Sequence, residues 1–317
     1  MEMEGSTLVD KDERSRNNSA RRATSPTYFG QNGNTLHTIA HSTRADTRMF
    51  VAMCHKTMAY TIHALASDPD PLVRAYAIAH PNASLEDTET AINDTDYRVV
   101  AAAARVTVNR VNLAKAATHE RWEARQVAAE NERTPSGALH ALARDTHVGV
   151  RASVARNKAL TEDVRMILAR DPDPRVRAIN AENATQPRVL AIAARDTEPD
   201  VAVAAATNTH THPDDMTLLS MHGDERVRRR AASHERTPEE TALALTYDKD
   251  AMVRAAAGAH KNTPAWRKKE LAQGDNEPIV LNMLAHSTGT PRDVIHILVG
   301  RGNKQARVSL LRLCRRQ

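Results

Sequence analysis

Arg170–Asn183 reads RDPDPRVRAINAEN, and versions of it return along the chain: DPDPLVRAYAIAH at Asp68–His80, DTHVGVRASVARN at Asp145–Asn157 and DKDAMVRAAAGAH at Asp248–His260. Aligned on the valine of the Val-Arg pair, the register falls at Thr47, Val73, Val99, Ala124, Val150, Val176, Val201, Val227, Val253, Ile279 and Ala306, with neighbours 25 to 27 residues apart. A period held over ten steps describes eleven copies of one small unit between residues 34 and 313. Such a chain folds as a quasi-linear stack and not as a globule around one centre.

Each unit reads as two short helices of about nine residues. Thr134-Pro135 predicts a helix start, with Thr as N-cap and Pro at the first helical position, and the pair recurs at Thr237, Thr263 and Thr290. Thr237–Glu240 completes a capping-box pattern. Leu139 and Leu142 form an apolar stripe, Arg144-Asp145 leads into a turn, and a second helix from about Val148 carries Val150 and Val154 on one face. Seven residues after the register position stands Asn131, Asn157, Asn183 or Asn208, and then His234, His260 or His286. Asparagine tolerates the left-handed conformation that ends helices, so this slot predicts a C-terminal stop. Neither helix is stable alone, and stacking buries their apolar faces.

Composition agrees with this reading. Aromatic residues make up 3 % of the 317, so no large core rests on Phe and Trp, while abundant Ala favours closely packed helices. No apolar run approaches the roughly 18 residues of a membrane span. Residues 1–33 are polar and mixed in charge and predict a disordered tail without a signal peptide. Residues 314–317 form a short basic tail. Cys54 and Cys314, the two cysteines, suggest neither a disulfide framework nor a metal site. The expectation is a cytoplasmic monomer without cofactor or membrane contact.

The Asp-Pro-Asp-Pro-x-Val-Arg signature resembles that of HEAT repeats, and VRASVARN at Val150–Asn157, Thr237-Pro238 and LARD at Leu168–Asp171 resemble the leucine-rich repeat variant. The resemblance covers nearly all of the chain after residue 34. It implies an all-α, right-handed α-solenoid of helix pairs, and it allows one helix of each pair to be 3₁₀. These units are longer than that family's usual one, which points to fuller helix pairs. Some members hold an iron–sulfur cluster ahead of the repeats; clustered cysteines for it are missing from this sequence, so the cofactor does not carry over. The HEAT resemblance also implies a ladder of recurring Asp and Arg tying one turn to the next, with Asp68/Arg74, Asp145/Arg151, Asp171/Arg177 and Asp248/Arg254 at the required spacing. Arg bonds carboxylates and carbonyls together, which suits a clamp between layers.

Other residue patterns bear on function. His210, His212, Asp214, Asp215 and His222 form the best metal-like grouping. His119-Glu120 and His234-Glu235 resemble the dyads of HEAT-repeat deoxyhypusine hydroxylases, but they occupy different slots of their repeats. Nucleophile elbows and phosphate-cradling Gly loops are missing, so a non-catalytic chain is expected. Arg21-Arg22-Ala-Thr24 resembles a basophilic kinase site. Charge is uneven: residues 225–317 carry 18 Lys/Arg against 10 Asp/Glu, whereas residues 1–224 carry 26 against 29. Arg229, Arg230, Arg267, Lys268, Lys269, Arg301, Lys304, Arg312, Arg315 and Arg316 are the candidate partner-binding residues of the basic end. A scaffold for a protein partner is the first expectation; a nucleic-acid binder using residues 225–317 is the second.

Overall fold

The turn that opens each Val-Arg helix is built by its own sequence. The Asp171 carboxylate accepts the Asp173 amide at 2.9 Å, and Asp173 in turn accepts the Arg175 amide at 2.9 Å as N-cap. Pro174 takes the first helical position, where its fixed φ fits and its missing N–H leaves nothing unpaired. Asp70, Asp96, Asp224 and Asp250 cap their helices in the same way.

The computed structural model describes residues 33–314, with side chains through Leu311, and among these there are 22 α-helices and no strand. They fall into two compact units divided at Ala159/Leu160. The first holds α1 (Gly33–Ile39), α2 (Ala45–Met53), α3 (Ala59–Leu65), α4 (Pro71–Ile78), α5 (Leu85–Ala91), α6 (Tyr97–Val106), α7 (Arg110–Ala116), α8 (Trp122–Glu130), α9 (Ser136–Leu142) and α10 (Val148–Arg156). The second holds α11 (Glu162–Leu168), α12 (Pro174–Asn183), α13 (Pro187–Ala193), α14 (Pro199–Thr207), α15 (Pro213–Leu219) and α16 (Glu225–Ser233). It continues with α17 (Glu239–Leu245), α18 (Ala251–Ala259), α19 (Ala265–Gly274), α20 (Pro278–His286), α21 (Arg292–Gly300) and α22 (Lys304–Cys314).

The fold is an all-α array of helix pairs, in nine of which a seven-residue helix precedes a longer one that carries the register position. The longer helices stack on one another, α4 on α6 and α6 on α8 in the first unit, α12 on α14 and α16 on α18 in the second. Register residues Val73, Val99, Val150, Val176, Val227 and Val253 are fully buried between them. Alanines flank these valines: Ala103, Ala104, Ala128 and Ala129 are buried and let the longer helices approach closely. The shorter helices bury leucines such as Leu113, Leu139, Leu190 and Leu245. In α18 the approach is closer still, since a Cβ at Gly258 would lie 3.0 Å from the Leu271 side chain and 3.3 Å from that of Leu284.

Four local expectations are corrected. The first nine shorter helices span seven residues, not about nine, and no 3₁₀ segment occurs among the described residues. The Thr of Thr-Pro is not an N-cap: Pro135, Pro238, Pro264 and Pro291 hold that position without a side-chain bond, and the capping box at Thr237 does not form. These threonines instead lock the end of the preceding helix, Thr134 Oγ1 donating to the Ala128 carbonyl at 2.6 Å and Thr290 Oγ1 to that of Leu284 at 2.6 Å. Thr57, Thr211, Thr237 and Thr263 make the same bond six residues back. Nor is the Asn/His slot left-handed, because Asn131, Asn157, Asn208, His234 and His260 all have extended backbone. Finally, Val280 and not Ile279 is the buried register residue of its repeat, so Ser287 and not His286 fills the slot there.

Residues 1–32, with Arg21–Thr24, lie outside the described residues, as do Arg315 and Arg316, while Gly33, the last residue of the expected tail, opens α1. No described helix is long and apolar enough to cross a membrane.

Candidate functional site

Two ladders run through the repeats. In the first, six arginines ion-pair with the aspartate of the following repeat: Arg48 with Asp68, Arg74 with Asp94, Arg125 with Asp145, Arg177 with Asp196, Arg228 with Asp248 and Arg254 with Asp275, at 2.6–2.8 Å. The Asp read six residues before each Arg contributes its carbonyl instead, as Arg74 donates to the Asp68 carbonyl at 2.8 Å, Arg151 to that of Asp145 at 2.9 Å, Arg177 to that of Asp171 at 2.8 Å and Arg254 to that of Asp248 at 2.9 Å. One guanidinium therefore closes its own turn and grips the next. Burial pushes the Asp145, Asp196 and Asp248 carboxyls up, but the arginine hydrogen bond, the turn amide and the arginine charge together hold them below their ordinary range.

Two rungs are dry. Val100 and Ala202 stand where the ladder arginine would be, both buried, and the following aspartate positions are His119 and His222. Each histidine keeps the turn-closing half of the role, its Nδ1 accepting the amide of Arg121 or Asp224 at 3.0 Å.

The second ladder is the Asn/His slot. Asn157 Nδ2 donates to the Ala129 and Asn131 carbonyls at 2.8 and 3.0 Å, and its Oδ1 accepts the Ala159 amide at 2.8 Å. Asn131 and Asn208 repeat the pattern. At His80, His234 and His260 the ring does the same work: Nε2 bonds the Cys54, Asn208 and His234 carbonyls at 3.1, 3.2 and 2.9 Å, while Nδ1 accepts the amide two residues on. Asn183 and His286 stay off this ladder, each folding back on its own helix.

The described basic candidates differ in how far they are already engaged. Lys268 is buried and donates to the Gly289 carbonyl at 3.1 Å, so it is withdrawn from any partner. Arg267 lies over the Tyr247 ring at 3.6 Å and bonds Thr246 through Oγ1 and carbonyl at 2.7 and 3.0 Å. Arg301 fastens the Ala272 and Asp275 carbonyls at 2.8 and 2.7 Å. Lys269 stands 3.8 Å from Asp293. Arg229 is half-buried, Arg230 and Lys304 are exposed, and the Arg312 side chain lies outside the described residues.

The histidine groupings disperse into local structure. His210 hydrogen-bonds Asn208, His212 caps α15, His222 closes its turn and Asp215 pairs with Arg195 at 3.1 Å. Among the described residues no group of three or more His, Cys, Asp or Glu could hold a metal ion. The two His-Glu dyads separate as their slots require, His119 in a turn and His234 in the buried ladder.

Aromatic placement supplies a feature that periodicity misses. Both tryptophans are exposed, Trp122 by 37 % and Trp266 by 52 %, although a core this poor in aromatics could have used them. Trp122 stacks on His147 with ring centroids 3.9 Å apart, and its neighbour Arg121 lies 4.9 Å over the Tyr97 ring. Gly149 makes room for this, since a Cβ there would come within 3.0 Å of the His147 ring. Glu120, Arg125 and Thr146 complete an open groove around the stack. In the second unit Trp266 precedes the Arg267 that covers exposed Tyr247.

No family model and no curated protein matches the chain. Among solved structures, a leucine-rich repeat variant described as having a novel repetitive structural motif is similar at 24 % identity, covering 69 % of this chain and 87 % of that one, with a TM-score of 0.54. The crystal structure of an engineered protein aligns at 16 % identity over 89 % of this chain and 98 % of that one, with a TM-score of 0.36. The first likeness shows the fold: a helical repeat array of the leucine-rich repeat variant kind.

Proposed function

We propose that the chain is a non-catalytic, cytoplasmic repeat scaffold that binds a protein partner. The exposure of both tryptophans, each next in sequence to an arginine that covers a tyrosine, carries this reading. Trp, Tyr and Arg dominate binding hot spots because they offer large, stiff contact areas with a polar edge. Arginines already held against rings cost little further ordering on binding. A nucleic-acid role is less well supported, because Arg267, Lys268 and Arg301 are occupied by neighbouring backbone or side chains. Its remaining supports are Arg230, Lys304 and the net positive charge of residues 225–317.

Affinity capture with the full chain tests the choice. The expected partner survives nuclease and is lost with Trp122→Ala or Trp266→Ala, while Arg230→Glu/Lys304→Glu retains it. Capture that vanishes with nuclease and with Arg230→Glu/Lys304→Glu, but tolerates both tryptophan changes, would overturn the protein reading in favour of phosphate binding.

A further inference from the structure

We propose that His234 and His260 form an acid-sensitive seam in the second unit: protonation of the two rings opens the repeats they join, whereas repeats joined by asparagine stay closed. The hydrogen bonds decide this. In each ring Nδ1 accepts a backbone amide, that of Arg236 for His234 and that of Asn262 for His260, so Nδ1 carries no proton and Nε2–H is the donor to the carbonyl. An imidazolium has two donors and no acceptor, so a proton on Nδ1 faces an N–H and breaks the turn. The two locks are consecutive, because the His260 ring bonds the backbone carbonyl of His234 itself.

The surrounding charges point the same way. Lys261, buried Lys268 and His234 all disfavour a charge on His260. Around His234, Arg236 opposes a charge and Glu235 favours it. Burial is the largest influence on both rings and pushes them below the ordinary histidine range, with the accepting carbonyl opposing it. The folded rings are thus harder to protonate than the unfolded ones. Their contribution is whole above the unfolded value of about 6.5 and is lost as pH falls through the folded values. Asn131 and Asn157 make the same bonds with a group that does not titrate. His80, bonded alike and facing His55, is a single such lock in the first unit.

Amide hydrogen exchange of the full chain, corrected for intrinsic rates, tests the seam between about pH 7.5 and about pH 5.5, where histidine is the side chain that titrates. Between the folded and unfolded values, opening across residues 227–263 rises about tenfold per pH unit for each ring that gains a proton. Residues 124–160 hold their protection, and His234→Asn/His260→Asn flattens the response. An unchanged acid response in that double variant, or none in the native chain, overturns the proposal. Should the variant fail to fold, nitrogen-resolved NMR of the native rings decides. A neutral Nε2–H tautomer in the closed state at about pH 6 upholds the seam, and an imidazolium there with protection intact sinks it.

Discussion

Asn157 in the first unit and His260 in the second occupy the same place in their repeats and tie the same two stretches of backbone together, yet the chemistry differs. Both bond a carbonyl of the preceding repeat and receive the amide two residues on. The amide group of Asn offers a donor and an acceptor at every pH, whereas the imidazole offers both only while neutral. A repeat architecture can therefore hold its geometry constant and vary how its seams respond to solution conditions. The arginine ladder is the constant between the two units, since Arg125–Asp145 and Arg228–Asp248 have nearly the same lengths and burial.

The largest expected effect falls on that constant. Arg125→Ala and Arg228→Ala each strand a buried carboxylate and release two turn carbonyls, and each should destabilise its unit by about 3 kcal/mol. Equilibrium denaturation followed by local probes checks whether the two losses match. Because Asp145 and Asp248 sit below their ordinary range when folded, the ladder's contribution is full above the unfolded value of 3.8 and is lost as pH falls through the folded values. Acid damage to the ladder thus begins well below the pH at which the histidine seam opens. A unit that loosened with an aspartate-like midpoint alone would erase the distinction drawn between the two seams.

Next in size are the locks. Asn157→Ala removes a buried side chain that bonds two carbonyls and one amide, and should cost about 2 kcal/mol at any pH. His260→Ala should cost a similar amount near neutrality and much less in mild acid, where the native ring is already a liability. Asn157→His sharpens the comparison, since it should carry the acid response into the first unit. Thermal unfolding of that variant at neutral and mildly acid pH gives the answer directly.

Much of this was legible in the sequence, and the parts that were not have physical reasons. The period, the helix pairs and the Asp and Arg of each turn follow from residue spacing, because each repeat builds its own turn. Which Asp each Arg grips depends on stacking, which a single repeat does not contain. A signal was nonetheless present: of the three repeats with apolar residues in the arginine slot, Val100, Ala202 and Leu281, the first two are each followed by a repeat with His in place of Asp, His119 and His222. Paired loss of that kind marks partners in adjacent repeats. Thr134 misleads for the opposite reason, since a Thr before Pro suits an N-cap locally, and only the approach of the Ala128 carbonyl makes it a lock. Lys268 looks like surface charge because its sequence neighbours are charged, yet its side chain turns inward to Gly289.

The smallest expected effect separates two ways of ending a helix. After α21 the chain does turn left-handed, at Gly302 with φ of 79°, and the amides of Gly302 and Asn303 return to the Val299 and Leu298 carbonyls at 2.9 and 3.0 Å. Gly302→Ala places a Cβ in open space but in a disfavoured conformation, so it should cost about 1 kcal/mol through backbone strain alone. Gly302→Asn should cost less, because Asn visits that conformation more readily. The asparagine slot behaves in the reverse sense: at Asn157 the backbone is extended, so Asn157→Gly gains nothing from glycine's freedom and loses the buried amide. Denaturation midpoints of Gly302→Asn and Asn157→Gly, measured together, decide it. Near-native stability for Asn157→Gly would mean that the slot ends helices by backbone conformation after all, and that its bonds to the preceding repeat contribute little.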